Sequence, residues 1–98
     1  MAYRIEYSPA AVDHLRGLLA AEQRIVVDSV DEQLRDQPGL ETRNRKLMRP
    51  NPVAPWELRI GALRVYYEIE MLETVVHILA VGVKERDVVR IGGEIIKL

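Results

Sequence analysis

A chain of 98 residues with no cysteine and a net charge of −1 supports one domain with a single small core, and it excludes a disulfide framework or a thiolate metal site. No apolar run approaches the roughly 18 residues of a membrane span, and the start, MAYRIEYSP, lacks the charged-then-apolar pattern of a secretory leader. Residues 1–98 are therefore expected to form one cytoplasmic domain that does not enter a membrane.

Tyr3, Ile5 and Tyr7 alternate with Arg4 and Glu6, which predicts a short opening strand. Ser8-Pro9 follows as a helix N-cap with proline at the first helical position. Val12, Leu15 and Leu19, flanked by Ala11 and Leu18, recur at helical spacing to about Ala20, and a second helix from about Glu22 to Gln37 carries Val26, Val27, Val30 and Leu34 on one stripe. These stripes read as core. Pro38-Gly39 ends the second helix, and Glu41 to Pro55, basic and then proline-rich (RPNPVAP), reads as a surface loop.

Trp56 to Ile69, WELRIGALRVYYEI, has the period of a half-buried strand on both sides of Gly61-Ala62, where Gly61 supplies the positive φ of a type II′ turn. A two-residue loop pairs Ile60 with Leu63, Arg59 with Arg64, Leu58 with Val65 and Glu57 with Tyr66, so the apolar partners share one face and the two arginines stand opposite each other on the other. Like charges directly opposite cost about 0.2 to 1 kcal/mol on the scale of other cross-strand pairs. Two readings remain open here: a surface built to meet an anion, or a solvated face that Glu57, diagonal to Arg64, neutralises. Val75 to Val81 is nearly all apolar and predicts a central strand, in which His77 is expected to be a packed, hydrogen-bonded core residue, whereas His14 on the first helix reads as a surface or boundary residue. Val88 to Leu98, with Gly92-Gly93 between VVRI and EIIKL, reads as a closing hairpin or as a kink followed by an edge segment.

The resulting order, β-α-α-β-β-β, predicts an α+β domain in which two N-terminal helices pack on one face of a twisted antiparallel sheet. Trp56, Leu58, Ile60, Leu63, Val65 and Tyr67 would line the covered face. Arg59, Arg64 and Tyr66 would show on an open one. Charge is segregated along the chain: residues 1–41 carry four basic and eight acidic side chains, whereas residues 42–64 carry six basic (Arg43, Arg45, Lys46, Arg49, Arg59, Arg64) and one acidic, a local balance of +5. Such clustering can focus a positive potential on one side of a nearly neutral domain, the footprint of a nucleic-acid binder. Tyr66, on the strand face of Arg64, is a candidate base-stacking platform. No HExxH, phosphate-cradling glycine loop or carboxylate cluster occurs, so neither metal nor cofactor is expected.

The order of elements, the basic run ending in Lys46-Leu47, the motif W-x-L-R-I-G-x-x-R-V-x-Y-E and the apolar strand ending in Val81-Gly82 with Lys84 and Arg86 resemble the RelE/ParE superfamily of bacterial toxins. The resemblance implies a toxin neutralised by a cognate antitoxin protein. Its RelE branch acts as a ribosome-dependent endoribonuclease on mRNA, by attack of the 2′-OH on the scissile phosphate, and its ParE branch inhibits DNA gyrase. The nuclease reading puts Arg64 on the charge of the scissile phosphate, Arg59 at a catalytic lysine position and Lys84 or Arg86 at a second functional arginine. Arg43, Arg45, Lys46, Arg49 and Arg90, with Tyr66, would then meet RNA. Breaking a phosphodiester also needs a base and an acid. Arginine supplies charge but no base, and a lysine such as Lys84 or Lys46 serves only with a lowered pKa. The expected function is translation inhibition by mRNA cleavage on the ribosome, resting on the opposed arginines and the +5 segment. Glu57 stands where the RelE branch often has lysine, and the lack of any tyrosine or histidine after position 88 favours the alternative, a gyrase inhibitor or a non-catalytic binder.

Overall fold

The structure, a computed structural model, describes residues 2–98. Its elements in chain order are β1 (Arg4–Tyr7), α1 (Pro9–Arg16), α2 (Ala20–Leu34), β2 (Arg45–Leu47), β3 (Trp56–Ile60), β4 (Leu63–Glu70), β5 (Val75–Glu85), β6 (Val88–Ile91) and β7 (Glu94–Ile96). The strands form one sheet in the order β2-β3-β4-β5-β6-β7, antiparallel throughout, with β1 added in parallel against the first half of β5. The expected α+β architecture is therefore present, the C-terminal segment takes the closing-hairpin form of its two readings as β6 and β7, and one further strand, β2, lies inside the segment expected to be loop. No described helix is long and apolar enough to cross a membrane.

Ser8 caps α1 through its hydroxyl, which accepts from the Ala11 N–H at 3.0 Å, with Pro9 in the first turn. The helix stops at Arg16, short of the expected Ala20, because Gly17 takes the C-cap and the chain re-enters at Ala20. Leu19, expected on the buried stripe, is consequently exposed, while Glu22 accepts from the Leu19 N–H at 3.1 Å. On α2, Val26, Val30 and Leu34 are buried at i, i+4, i+8, and Val27 turns outward. The main core lies between these helices and Leu58, Leu63, Val65, Tyr67, Val76, Ile78 and Val81. Trp56 stacks on Tyr67 across β3 and β4, with ring centroids 5.9 Å apart.

The β3–β4 register is Glu57↔Tyr66, Leu58↔Val65, Arg59↔Arg64 and Ile60↔Leu63, as the sequence pattern requires, and Gly61 holds φ +58° in the turn. Between β4 and β5, Tyr66 pairs with Ala80 but Tyr67 with Ile78, so Leu79 is an extra residue. This bulge turns both Leu79 and Ala80 toward the face away from the helices, and it explains how β5 runs to 11 residues without losing its inward side chains. On its other edge β5 is covered by β1 as far as Ile78 and by β6 from Gly82. Helix α1 fills the gap. The Ser8 hydroxyl donates to the Leu79 carbonyl at 3.1 Å, and the Val81 N–H donates to His14 Nδ1 at 3.2 Å. His14 is thus a structural acceptor for a backbone group that no strand satisfies.

The face away from the helices is covered more than the strand pattern suggests. A second cluster, Ala54, Tyr66, Ala80 and Ile91, is packed by Met48, Val53, Leu79, Val89 and Ile96. The proline-rich segment folds over the sheet because Asn51 organises it. Its side-chain oxygen accepts from the N–H groups of Val53 (2.8 Å) and Ala54 (3.1 Å), and its amide donates to the carbonyls of Arg49 (2.7 Å) and Ala54 (2.9 Å). The closing hairpin β6–β7, turned at Gly92-Gly93 with φ +59° and +84°, brings Ile96 to the same cluster. His77 corrects its expectation in the other direction. It lies on this second face with its side chain 32% exposed, and its Nε2 is 3.5 Å from a Glu70 carboxylate oxygen.

Candidate functional site

Consecutive strands bring one row of cations onto the second face. Arg59 on β3 opposes Arg64 on β4, Arg64 opposes Gly82 on β5, and Lys84, two residues on, shares the side of Gly82. Arg59, Arg64 and Lys84 line one groove of about 460 Å³, together with Glu57, Met48, Asp87, Val88, Val89, Ile96, Lys97 and Leu98. The floor is cationic with an internal carboxylate. Met48 from the loop after β2 and Val88, Val89, Ile96 and Leu98 from the C-terminal hairpin add an apolar wall, and Asp87 and Lys97 add one charge of each sign.

Neither arginine projects freely. Arg59 Nε donates to Glu57 Oε1 at 2.8 Å, and the Glu57 side chain is 8% exposed against 49% for Arg59. Arg64 is buried, and its Nη1 donates to the carbonyls of Gly61 (2.6 Å) and Leu63 (2.9 Å), which ties the guanidinium to the hairpin turn. Glu57 therefore neutralises a cation of the pair, as the solvated-face reading proposed, but the partner is Arg59 two residues along β3, not the diagonal Arg64. Lys46, the cross-strand partner of Glu57 on β2, flanks the same end of the face.

Tyr66 does not offer a stacking surface. It is fully buried in the second cluster, and its hydroxyl makes no hydrogen bond. Burial pushes its pKa up, and the nearby Glu57 carboxylate pushes it further, against the opposing charges of Arg64 and Arg59. A buried hydroxyl without a partner contributes only its desolvation cost, so Tyr66→Phe is expected to leave stability unchanged or raise it by up to about 1 kcal/mol, measured by urea unfolding. A loss beyond that would mean the hydroxyl has a partner in solution.

The other sequence candidates scatter. Arg45 points away from the groove: Nη1 donates to the carbonyls of Gln33 (2.8 Å) and Gln37 (3.0 Å), and Nε to the Thr42 hydroxyl (3.4 Å). It satisfies the Gln33 carbonyl in the last turn of α2 and the Gln37 carbonyl just beyond the helix, and its positive charge sits at the negative end of that helix. Arg45→Ala is expected to cost about 2–3 kcal/mol, as for hydrogen bonds to a charged group, whereas Arg43→Ala, at an exposed position, should stay within about 0.5 kcal/mol in the same unfolding assay. Arg49 lines a neighbouring groove beside Glu68 and Leu79. Arg86 occupies the tip of the β5–β6 turn at φ +56°, outside the groove. Arg90 lies on the opposite face, where its Nε is 3.2 Å from Glu85 and it borders a cleft with His14. Of ten candidates, Arg59, Arg64 and Lys84 share the groove. Asp87, Val89, Ile96 and Lys97 were not legible as site residues, because only the β5–β6–β7 pairing brings them there.

A small α+β domain with two helices over one face of such a sheet, and a cationic groove on the other, has the architecture of the RelE-like toxins. The model of the ParE toxin family of type II toxin–antitoxin systems (parDE) matches residues 5–88. The chain belongs to the ParE toxin family of the RelE/ParE superfamily and is a toxin of a toxin–antitoxin system. It is also similar to a chain in the crystal structure of the RelBE2 toxin–antitoxin complex from Mycobacterium tuberculosis, with 25% identity, 86% of this chain and 93% of that one covered, and a TM-score of 0.75. A chain of the archaeal RelE–RelB complex from Pyrococcus horikoshii OT3 shares the fold, with 23% identity, 88% and 99% covered, and a TM-score of 0.69. No curated protein sequence is significantly similar to this chain.

Proposed function

We propose that this toxin acts by binding, as a ParE-like inhibitor of DNA gyrase, and not by cleaving RNA. The observation that carries this reading is the commitment of Arg59 to the Glu57 carboxylate inside the groove. Cleavage through the 2′-OH requires cations free to follow the phosphorane and a group that takes a proton. In the groove an anion already holds the first cation, and Arg64 is tied to backbone carbonyls. The proton-transfer candidates lining it besides carboxylates are the amines of Lys84 and Lys97, with neither imidazole nor phenol. The match to the ParE family over residues 5–88 supports the same branch.

A second reading, ribosome-dependent mRNA cleavage, keeps the support of one feature, the convergence of Arg59, Arg64 and Lys84 from three strands. The two separate in one pair of measurements. Purified toxin is expected to inhibit gyrase supercoiling, and induction of the chain alone is expected to arrest growth while transcript ends stay unchanged. New transcript ends that vanish with Arg64→Ala, alongside unaffected supercoiling, would replace the gyrase reading with the nuclease one. The whole chain is proposed to act as a single domain in the cytoplasm, held in check by a cognate antitoxin. Support for that partner comes from the two similar structures, both of them toxin–antitoxin complexes.

A further inference from the structure

The groove holds a carboxylate where an anionic ligand would have to sit. Glu57 lies on β3 between the cross-strand positions of Lys46 and Tyr66, is nearly closed off from solvent, and accepts from Arg59 Nε at 2.8 Å. The remaining cations of the groove, Arg64, Lys84 and Lys97, make no ion pair with any described carboxylate within 4 Å, since the ion pairs found join other residues. Asp87 also lines the groove, but of its two carboxylate side chains Glu57 is the one paired with a groove cation, and it stands on the strand that carries Arg59. The Tyr66 hydroxyl is buried close enough to Glu57 for the carboxylate to raise its pKa.

We infer that Glu57 is a specificity-determining residue: it occupies the anion position of the Arg59–Arg64–Lys84 groove and thereby excludes phosphodiesters, so that neutralising it converts the groove into a nucleic-acid-binding site. The inference rests on the reading of the toxin as a binder that does not process RNA, and it assigns that behaviour to one side chain. The electrostatic reason is direct. A phosphate seated between Arg59 and Arg64 would lie within a few ångströms of Glu57, and two unit charges about 4 Å apart at a protein surface repel strongly enough to change affinity by tenfold or more. Glutamine at this position is isosteric, keeps an oxygen for Arg59 Nε, and removes only the charge. The arginine geometry is retained while the repulsion is lost.

The test is fluorescence anisotropy of a short fluorescein-labelled single-stranded RNA with the full chain, in the wild type, Glu57→Gln and Glu57→Gln/Arg64→Ala. Glu57→Gln is expected to bind at least about tenfold more tightly than wild type, and the salt dependence of log K should steepen by about 0.7 for each added phosphate contact. Arg64→Ala in that background should abolish the gain. Affinities of wild type and Glu57→Gln within about threefold of each other, or a gain that survives Arg64→Ala, would overturn the inference. Circular dichroism checks that each variant is folded. Should Glu57→Gln fold poorly, Glu57→Ser removes the same charge and reads the same quantity. Failure of the gyrase reading is seen separately, in the supercoiling and transcript-end assays on the wild-type chain.

Discussion

Replacing Gly82 with valine is expected to destabilise the domain by about 3 kcal/mol or more, at or beyond the upper end of ordinary overpacking. Gly82 stands where β5 leaves its bulge and meets β6, paired with Arg64 on one side and Ile91 on the other. A Cβ there would lie 2.6 Å from the Arg90 carbonyl oxygen, 2.8 Å from Ile91 Cγ1 and 3.1 Å from Val89 Cγ1. The first contact is with backbone and cannot be relieved by a rotamer change. The strands must separate, which would also move Lys84 and Val89, both lining the groove. Because the clash begins at Cβ, Gly82→Ala should show the same sign with a smaller loss. Urea unfolding measures both, and Gly82→Ala within about 0.5 kcal/mol of wild type would show that β6 yields easily.

Alkaline pH is expected to unfold the protein in a transition that tracks ionisation of its buried phenols. Burial raises the pKa of Tyr7 to about 12, with the Asp31 charge adding and the Arg35 charge opposing. Burial likewise raises Tyr66, where Glu57 adds, and Tyr67, where Arg45 opposes, both further than Tyr7. In the unfolded chain a phenol titrates near about 10. The folded state therefore holds its protons more tightly, so this contribution to stability is fully present below about pH 10 and is lost as pH rises through the folded-state values, from about 12 upward for Tyr7. Tyr67 is placed to dominate, being fully buried in the main core with its hydroxyl donating to the Pro38 carbonyl at 3.1 Å. Phenolate absorbance and far-ultraviolet circular dichroism should change together in one cooperative step. Phenolate appearing near pH 10 for all tyrosines, with the circular dichroism unchanged, would contradict the burial of these rings.

Much of the architecture was legible because it is written in local periodicity. The alternation on both sides of Gly61-Ala62 specified the β3–β4 register residue by residue, since a strand slipped by one position would expose Leu58 and Val65 and bury both Glu57 and Arg59 on the helix side. The Ser8-Pro9 cap, the valine stripe of α2 and the apolar run of β5 were legible for the same reason, a repeat of side chains a few residues apart. The family motif lay in that same hairpin. The site was legible only in its first pair. Opposed arginines can be read from register, but what each guanidinium binds cannot.

Tertiary structure alone decided the character of the groove and the fate of the basic segment. Arg45 turns to the carbonyls of Gln33 and Gln37 because α2 ends beside β2, a contact between segments that no repeat connects. Tyr66 is sealed because Asn51 folds the proline-rich loop over the sheet and the last hairpin brings Ile96 beside it. Glu57 is paired with Arg59 because, once that face is covered, a carboxylate with little access to water needs a cation within reach. Hydrophobic periodicity records which face of a strand meets the core. Which polar groups are paired after burial depends on distances between remote segments, and only the folded chain sets those.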